Sequence, residues 1–378
     1  MSKLRVLHVI GGGEFGGAEQ HILNLVSAFS ADEVDVAVVC FYDSLFASKL
    51  KEAGITVFAL NQFGRFDLRL LRALRDTFHS FHPAIIHTHG VKANFFSRLA
   101  ARGLHVPLVT TMHSSLRYDY ASPLAYAIVS LMERCTRQWN RHYIAISGAL
   151  ANILRGQGVA DRCISVIYNG MDLSPYRQTQ LRDEDRARLR AEWDIPQHSF
   201  VFGSVARFVP VKGLPVLVDA FARLVQRTSS RPYLVLVGDG PERAGLEEQV
   251  RRLGLEDFVR FAGFRQDIPA CLHACDAFVH SSYYEGLGYT IIEAMASEVP
   301  VIASKVGGVK EFVFHEDTGL LVEPGDPAAL SQAMERLLQS EQLVDSMVRH
   351  ALEKVERSFT IEQMAAHILA LYRKLTNS

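Results

Sequence analysis

Residues 277–296 read AFVHSSYYEGLGYTIIEAMA. The first four residues are an apolar run of strand type. Residues 281–288 form a loop that ends on Gly286 and Gly288, and a helical pattern opens at Tyr289. A buried strand, a glycine turn and a helix make up the repeating unit of a parallel α/β sheet. Glycines at a helix N-terminus let backbone N–H groups come close to a ligand, which suits an anion or sugar hydroxyls. Glu285 stands in the loop and Glu293 two turns into the helix, so two acceptors can hold hydroxyls of two parts of one ligand. The bland alternative is a charge at a helix N-terminus beside a structural turn.

The same unit recurs in both directions. Towards the N-terminus, strands are expected at 200–206, 233–237 and 259–261, with helices opening near Leu214 and Arg243. Towards the C-terminus, strands are expected at 301–303 and 319–322, a helix opens near Pro327, and a helical tail covers 361–375. The alternation breaks at 173–199, where Pro175, a charged run and Asp194-Ile195-Pro196 read as a connector with one exposed helix. Before it, strands are expected at 5–10, 34–41, 55–60, 84–88, 107–112 and 142–146, with helices at 18–29, 68–78 and 92–102. This gives an α/β chain of two Rossmann-like, doubly wound domains, 1–175 and 195–355, followed by a terminal helix in 356–378. Ligands of such sheets bind beyond the carboxyl ends of the strands. Two sheets facing one another would enclose an interdomain cleft.

The chain has 378 residues, 48% hydrophobic and 21% charged, with a formal net charge of −1. That excludes a disordered chain and a small disulfide scaffold, and a polyelectrolyte binder such as a nucleic-acid protein is not expected. Residues 1–180 carry 18 Lys and Arg against 13 Asp and Glu, a modest basic excess compatible with an anionic surface. The cysteines, Cys40, Cys135, Cys163, Cys271 and Cys275, are odd in number and scattered, as expected for reduced thiols in a cytosolic protein. No signal-peptide pattern and no apolar run of about 20 residues is present.

Other motifs admit more than one reading. Gly11, Gly13 and Gly16 satisfy G-x-G-x-x-G formally, but the acidic residue of a dinucleotide site, Asp43, arrives late. His87-x-His89 has metal-like spacing without an accompanying carboxylate or cysteine, and Asp183-Glu184-Asp185 lies in a polar helix start; neither is read as a metal site. Arg65, Arg69, Arg72 and Arg75 share one helical face, while Leu68, Leu71, Leu74 and Phe78 can occupy another, with Phe63, Phe66, Tyr118 and Tyr120 nearby. Such a stripe can meet anionic headgroups, or simply be solvated. Arg207 and Lys212, five apart after a strand, are either surface cations or a pair aimed at phosphate.

The Glu285…Glu293 pattern within Glu-Gly-Leu-Gly…Glu-Ala-Met resembles retaining glycosyltransferases of family 4, which have the GT-B fold. Further motifs of that family occur in order across nearly the whole chain: Gly16-Gly17-Ala18-Glu19, Thr110-Thr111-Met112-His113, the segment 166–172, Arg207…Lys212-Gly213, Val237-Gly238-Asp239-Gly240-Pro241, Phe261-Ala262-Gly263, and Gly307-Gly308 with Glu311. Together they are specific, although each alone is weak. The resemblance implies that the first domain binds acceptor and the second a nucleotide-sugar, with the terminal helix crossing back to the first.

The resemblance also implies roles. Arg207 and Lys212 would bind the donor diphosphate, Glu293 the ribose hydroxyls, and Glu285 with the 286–288 backbone (Gly286, Leu287, Gly288) the sugar and nearby phosphate. Gly16, Gly17, Asn169, Gly263 and Phe264 would complete the donor site, and Glu19 and His113 would face the acceptor. His113, Arg207, Lys212 and Glu285 would carry the chemistry. The expected reaction is transfer from a UDP-sugar, or alternatively a GDP-sugar, to a hydroxyl of a glycan or lipid-linked precursor, with retained configuration and with neither metal nor cofactor. A weak contact with an anionic membrane is expected from the arginine stripe. The alternatives are a sugar-nucleotide epimerase or hydrolase of the same fold, a non-catalytic nucleotide-sugar binder, or a dehydrogenase.

Overall fold

The computed structural model describes residues 3–13, 15–61, 67–119 and 122–377. Phe63, Arg65, Phe66 and Tyr120 lie outside them, as does the side chain of Tyr118. The chain divides into two compact units, Met1–Asp172 with Phe359–Ser378, and Leu173–Ser358.

The first unit holds β1 (Leu4–Ile10), β2 (Val34–Cys40), β3 (Thr56–Ala59), β4 (Ile85–His89), β5 (Leu108–Met112), β6 (His142–Ala145) and β7 (Ile164–Val166). They form one parallel sheet in the order β3-β2-β1-β4-β5-β6-β7. The inner strands are buried on both faces, as parallel strands covered by helices must be, while the edge strands β3 and β7 are only partly buried. On one face Leu7, Val9, Ile86 and Leu108 pack against Leu70, Leu74 and Phe78 of the helix Arg69–Phe81. On the other, Val6, Ile85, Val109 and Ile144 pack against Leu25, Ile368 and Tyr372. Ile368 and Tyr372 belong to the last helix, Ile361–Thr376, which is therefore a core element of this unit. Each large side chain so buried contributes about 1.5–3 kcal/mol. The segment before that helix is tied down where Met171 N–H donates to Phe359 O at 2.9 Å.

The second unit holds β8 (Val201–Val205), β9 (Tyr233–Val237), β10 (Val259–Gly263), β11 (Ala277–His280), β12 (Val301–Ser304) and β13 (Leu320–Val322). Their parallel order is β10-β9-β8-β11-β12-β13. In both sheets the winding direction reverses beside the first strand, between β1 and β4 and between β8 and β11. A crevice opens beyond the strand ends at such a reversal.

Two expectations fail. The stretch 173–199 does not stand apart as a connector, although most of its helix is exposed. The helix Thr179–Glu192 belongs to the second unit, with Leu189 and Arg190 fully buried and Trp193 and Ile195 in the same core cluster. Arg190, at the end of the charged run, can be buried because its guanidinium donates to the carbonyls of Ala274, Gln197 and Ser199 and to Asp276, and a buried cation is tolerated when fully partnered. On the helix Arg69–Phe81 the inward face is Leu70, Leu74, Phe78 and Phe81, whereas Leu68 precedes the helix and is exposed.

Candidate functional site

In the second unit, the pairing of β8 with β11 brings together the loops that leave them. After β8 the chain passes Arg207, forms a 3-10 turn at Pro210–Lys212, and enters the helix Leu214–Arg227. After β11 it runs through the 281–288 loop into the helix Tyr289–Ala296. Tyr283 N–H donates to Val211 O, and Ser281 Oγ donates to Lys212 O. Gly213 sits at φ +61°, where a Cβ would stand 2.3 Å from Ser281 O, so no other residue lets the loops close up. On the far side Gly307, at φ +42°, leaves 1.8 Å between a notional Cβ and Glu285 O.

Held between these contacts, the Glu285 carboxylate takes three donors on one oxygen. Lys212 Nζ is 2.5 Å from Oε1, His280 Nε2 2.9 Å and Ser282 Oγ 2.9 Å. Burial alone would raise this carboxyl; the hydrogen bonds and charges of His280 and Lys212 outweigh it and hold it down to about 2. Glu293 differs. Burial raises it, opposed only in part by a hydrogen bond from Tyr176 in the 3-10 turn Ser174–Arg177. The guanidinium of Arg207 is exposed and bonds to no described residue. Gly286 is half-buried, Leu287 and Gly288 are buried, and Gly288 precedes the helix. Phe264, just beyond β10 and Gly263, is 75% exposed. The sequence reading missed His280 and Tyr176. His280 ends a strand five residues before Glu285, a signal that was present; Tyr176 lies in the stretch taken for a connector.

The first unit has its own cavity, about 350 Å³, at the ends of β1, β4 and β5. His113, His89, Glu19, Lys92, Asn94 and Arg137 contribute its polar lining. Gly16 precedes the helix Gly17–Ala28, and its N–H donates to Glu19 Oε2 at 3.1 Å, so this carboxylate also closes the helix end. Gly17 is exposed in the first turn. Asn169 is buried, as is His21, whose charged form it favours against the opposing effect of burial. The structure thus groups His113, Glu19 and Asn169 in the first unit, and Arg207, Lys212, Gly263, Phe264, Glu285 and Glu293 in the second.

Beside His113 lies a histidine cluster. Register pairs His8 with His87, and His89 with Thr111, so His8, His87, His89 and Thr111 face one side of the sheet. His21 joins them from the helix Gly17–Ala28. Burial lowers every ring: His8 to about 3, His113 to about 4, and His21, His87 and His89 well below the usual range. Two trios, His8/His87/His89 and His21/His89/His113, have ring nitrogens within 4.8 Å of one another, a spacing a transition metal can use. However, hydrogen bonds to Tyr372 and Thr111 occupy both nitrogens of His87, and those of His89 bond to His8 and His113. Asp185, of the rejected acidic motif, is held by Arg188 at 3.0 Å and His273 at 3.1 Å.

This architecture, two parallel sheets with loop sites at their reversals, is that of the two-domain glycosyltransferases of the GT-B fold. Residues 15–175 match the model of Glycosyltransferase Family 4, and residues 185–354 that of Glycosyl transferases group 1. The chain is 30% identical over 375 residues to the lipopolysaccharide core biosynthesis glycosyltransferase LpsD of Rhizobium meliloti, covering 98% of each. It is 27% identical over 324 residues to the N-acetyl-alpha-D-glucosaminyl L-malate synthase of Bacillus anthracis, covering 85% of this chain and 82% of that one. Among solved structures, HepE of Anabaena in complex with UDP-glucose superposes with a TM-score of 0.83 at 28% identity, covering 98% of this chain and 100% of that one. The chain belongs to the family 4, group 1 glycosyltransferases and has the GT-B fold. It is an enzyme, a glycosyltransferase. Among the described residues no helix is long and apolar enough to cross a membrane.

Proposed function

We propose that the protein transfers a sugar from a UDP-sugar, with retention, to a hydroxyl of a glycan or lipid-linked precursor of a surface polysaccharide. The observation that carries this is the second-unit loop pair, where Lys212 and Glu285 meet at the end of β8 and β11 and Arg207 stands free beside them. UDP-glucose in HepE and the lipopolysaccharide role of LpsD support the donor and acceptor class.

In this reading Arg207 and Lys212 take the diphosphate. Charge develops on the leaving phosphate as the glycosidic bond breaks, and fixed cations there stabilise the transition state more than the ground state. Glu293 accepts from the ribose hydroxyls, while Glu285 and the 286–288 backbone orient the sugar. A carboxylate held at about 2, with three donors on one oxygen, is a poor base at neutral pH. As the family resemblance implies, the acceptor proton then goes to the leaving phosphate, and attack comes from the face it leaves. Gly16, Gly17, Asn169, Gly263 and Phe264 border the donor, and Glu19 and His113 the acceptor. Two side-chain cations and a helix N-terminus supply the positive field, so no metal ion is required. A weak contact of the helix Arg69–Phe81 with anionic membrane, at a cytosolic face, completes the proposal.

The test is turnover of UDP-glucose and related donors with and without an acceptor hydroxyl, with the product's anomeric configuration read by NMR. Acceptor-dependent product of unchanged configuration is expected. Equal turnover without acceptor would mark a hydrolase or epimerase, and inversion would remove the same-face mechanism.

A further inference from the structure

Three rings of the first unit form an unbroken hydrogen-bonded chain that ends at the cavity. His8 Nδ1 lies 3.1 Å from His89 Nε2, and His89 Nδ1 lies 3.1 Å from His113 Nε2. His8 and His89 are at most 1% exposed, whereas His113 is half-buried and lines the cavity. A neutral imidazole has one N–H and one bare nitrogen, so each link fixes the next. Only two directions exist, and the far end chooses between them.

At that end His8 Nε2 is buried with no hydrogen-bond partner. If the chain ran from His113 towards His8, this atom would carry an orphaned N–H. If it runs from His8 towards His113, the same atom is a bare lone pair. Orphaned buried N–H groups are rarer than under-used acceptors. His8 Nδ1–H then donates to His89 Nε2, and His89 Nδ1–H donates to His113 Nε2. The proton of His113 is left on Nδ1, the nitrogen that no described residue bonds. His21 packs against His113 in an edge-to-face arrangement with ring centroids 4.9 Å apart.

We infer that His8 and His89 are positioning residues which fix His113 as a neutral donor, giving its Nδ1–H to a carbohydrate oxygen in the first-unit cavity. This rests on the proposed reading of that cavity as a carbohydrate site. It also assigns His113 against proton abstraction, because its only free nitrogen already carries a proton.

The tautomer is read without substrate. With histidine labelled by 15N, long-range proton–nitrogen correlation separates protonated from bare ring nitrogens, and the His113 signals are those missing from His113→Asn. A protonated Nδ1 and a bare Nε2 are expected at neutral pH; a protonated Nε2 overturns the chain whatever the enzyme does. Kinetics test the contact. Asn places an amide N–H near the position of Nδ1, so His113→Asn should stay within about tenfold of wild type, while His113→Ala and the acceptor-only His113→Asp fall further. His89→Leu should lower kcat/KM by about tenfold, and His89→Asn, which keeps a donor, should recover most of it. If His113→Asp outperforms His113→Asn, the donor assignment is wrong. The expected tautomer with unaffected kinetics in every variant would remove the carbohydrate contact and, with it, the reading of the cavity.

Discussion

Lys212 Nζ lies 2.5 Å from Glu285 Oε1, so a cation assigned to the donor diphosphate is already paired with the carboxylate assigned to the sugar. The pair is mostly buried, whereas Arg207 is exposed and unpaired among the described residues. The two cations should thus fail differently when removed. Arg207→Ala and Lys212→Ala should each lower kcat/KM by ~10²–10³, the scale for losing a charge stabiliser. Only Lys212→Ala should also destabilise the fold, by about 1–3 kcal/mol, because the mostly buried Glu285 carboxylate loses its ammonium partner and keeps only His280 and Ser282. Steady-state kinetics and urea melts separate the effects; near-normal turnover in both variants would remove the diphosphate role.

The same carboxylate makes stability depend on acid in a definite direction. Glu285 is held down from 4.5 to about 2 in the folded protein. A depressed carboxyl adds stability that is complete above its unfolded value and is lost as pH falls through its folded value. Glu285→Gln deletes that contribution, on the order of 2–3 kcal/mol at neutral pH. The wild-type advantage should hold steady above roughly pH 5.5 and shrink as pH falls through 4 towards 3. A gap that is flat, or that widens on acidification, would show that the three donors do not act on the charged form.

Glu293 is displaced the other way, since burial favours its neutral form. It therefore takes up a proton at higher pH than an ordinary glutamate, and a neutral carboxyl, with one oxygen turned donor, accepts from the two ribose hydroxyls more weakly than a carboxylate does. Donor KM should rise on mild acidification in wild type and change little in Glu293→Gln. A 2′-deoxyribose donor should bind poorly to wild type and lose little more in the variant. Additive losses would argue against direct contact.

The parts legible from sequence were those that need only local information. Val201–Val205, Tyr233–Val237 and Ala277–His280 are apolar runs bounded by turn residues, and helix starts at Leu214, Arg243, Tyr289 and Pro327 follow glycine, proline or acidic punctuation. β7 was missed because Ile164–Val166 is three residues long and only half-buried, so no clear pattern marks it. The histidine chain was half legible: the spacing of His87 and His89 puts both on one face of a strand. That His8 joins them depends on β1 lying beside β4, and strand order is not written in any one segment. Likewise the Lys212–Glu285 pair requires β8 beside β11, while His280, five residues from Glu285, could have been proposed from spacing alone.

Activity should survive exhaustive chelation. The positive field proposed for the leaving phosphate comes from Arg207, Lys212 and the N-terminus of the helix Tyr289–Ala296, none of which a chelator removes. Turnover is measured after dialysis against EDTA and again after manganese or magnesium is restored. Loss of activity that a divalent ion repairs would contradict the model and reopen both the histidine trios and the acidic motif at Asp183 and Asp185.

The membrane contact should be weak, because the arginine stripe is partly neutralised. Arg69 is clamped by Asp67 at 2.8 and 2.9 Å, and Arg72 faces Asp76 at 3.9 Å, while Arg75 has no acidic partner among the described residues. Three arginines against two aspartates leave a small excess, and a basic residue near an anionic leaflet is worth about 1 kcal/mol, screened by salt. Binding to vesicles rich in phosphatidylserine should be detectable by co-sedimentation only at low salt. Arg69→Gln, Arg72→Gln and Arg75→Gln together leave Asp67 and Asp76 unopposed, so the surface turns repulsive and binding should vanish. None of the three lies in either candidate site, so transfer to a soluble acceptor analogue should be retained. No sedimentation of wild type at low salt, or equal sedimentation of the triple variant, would remove this helix as a membrane contact and leave its arginines as a solvated face.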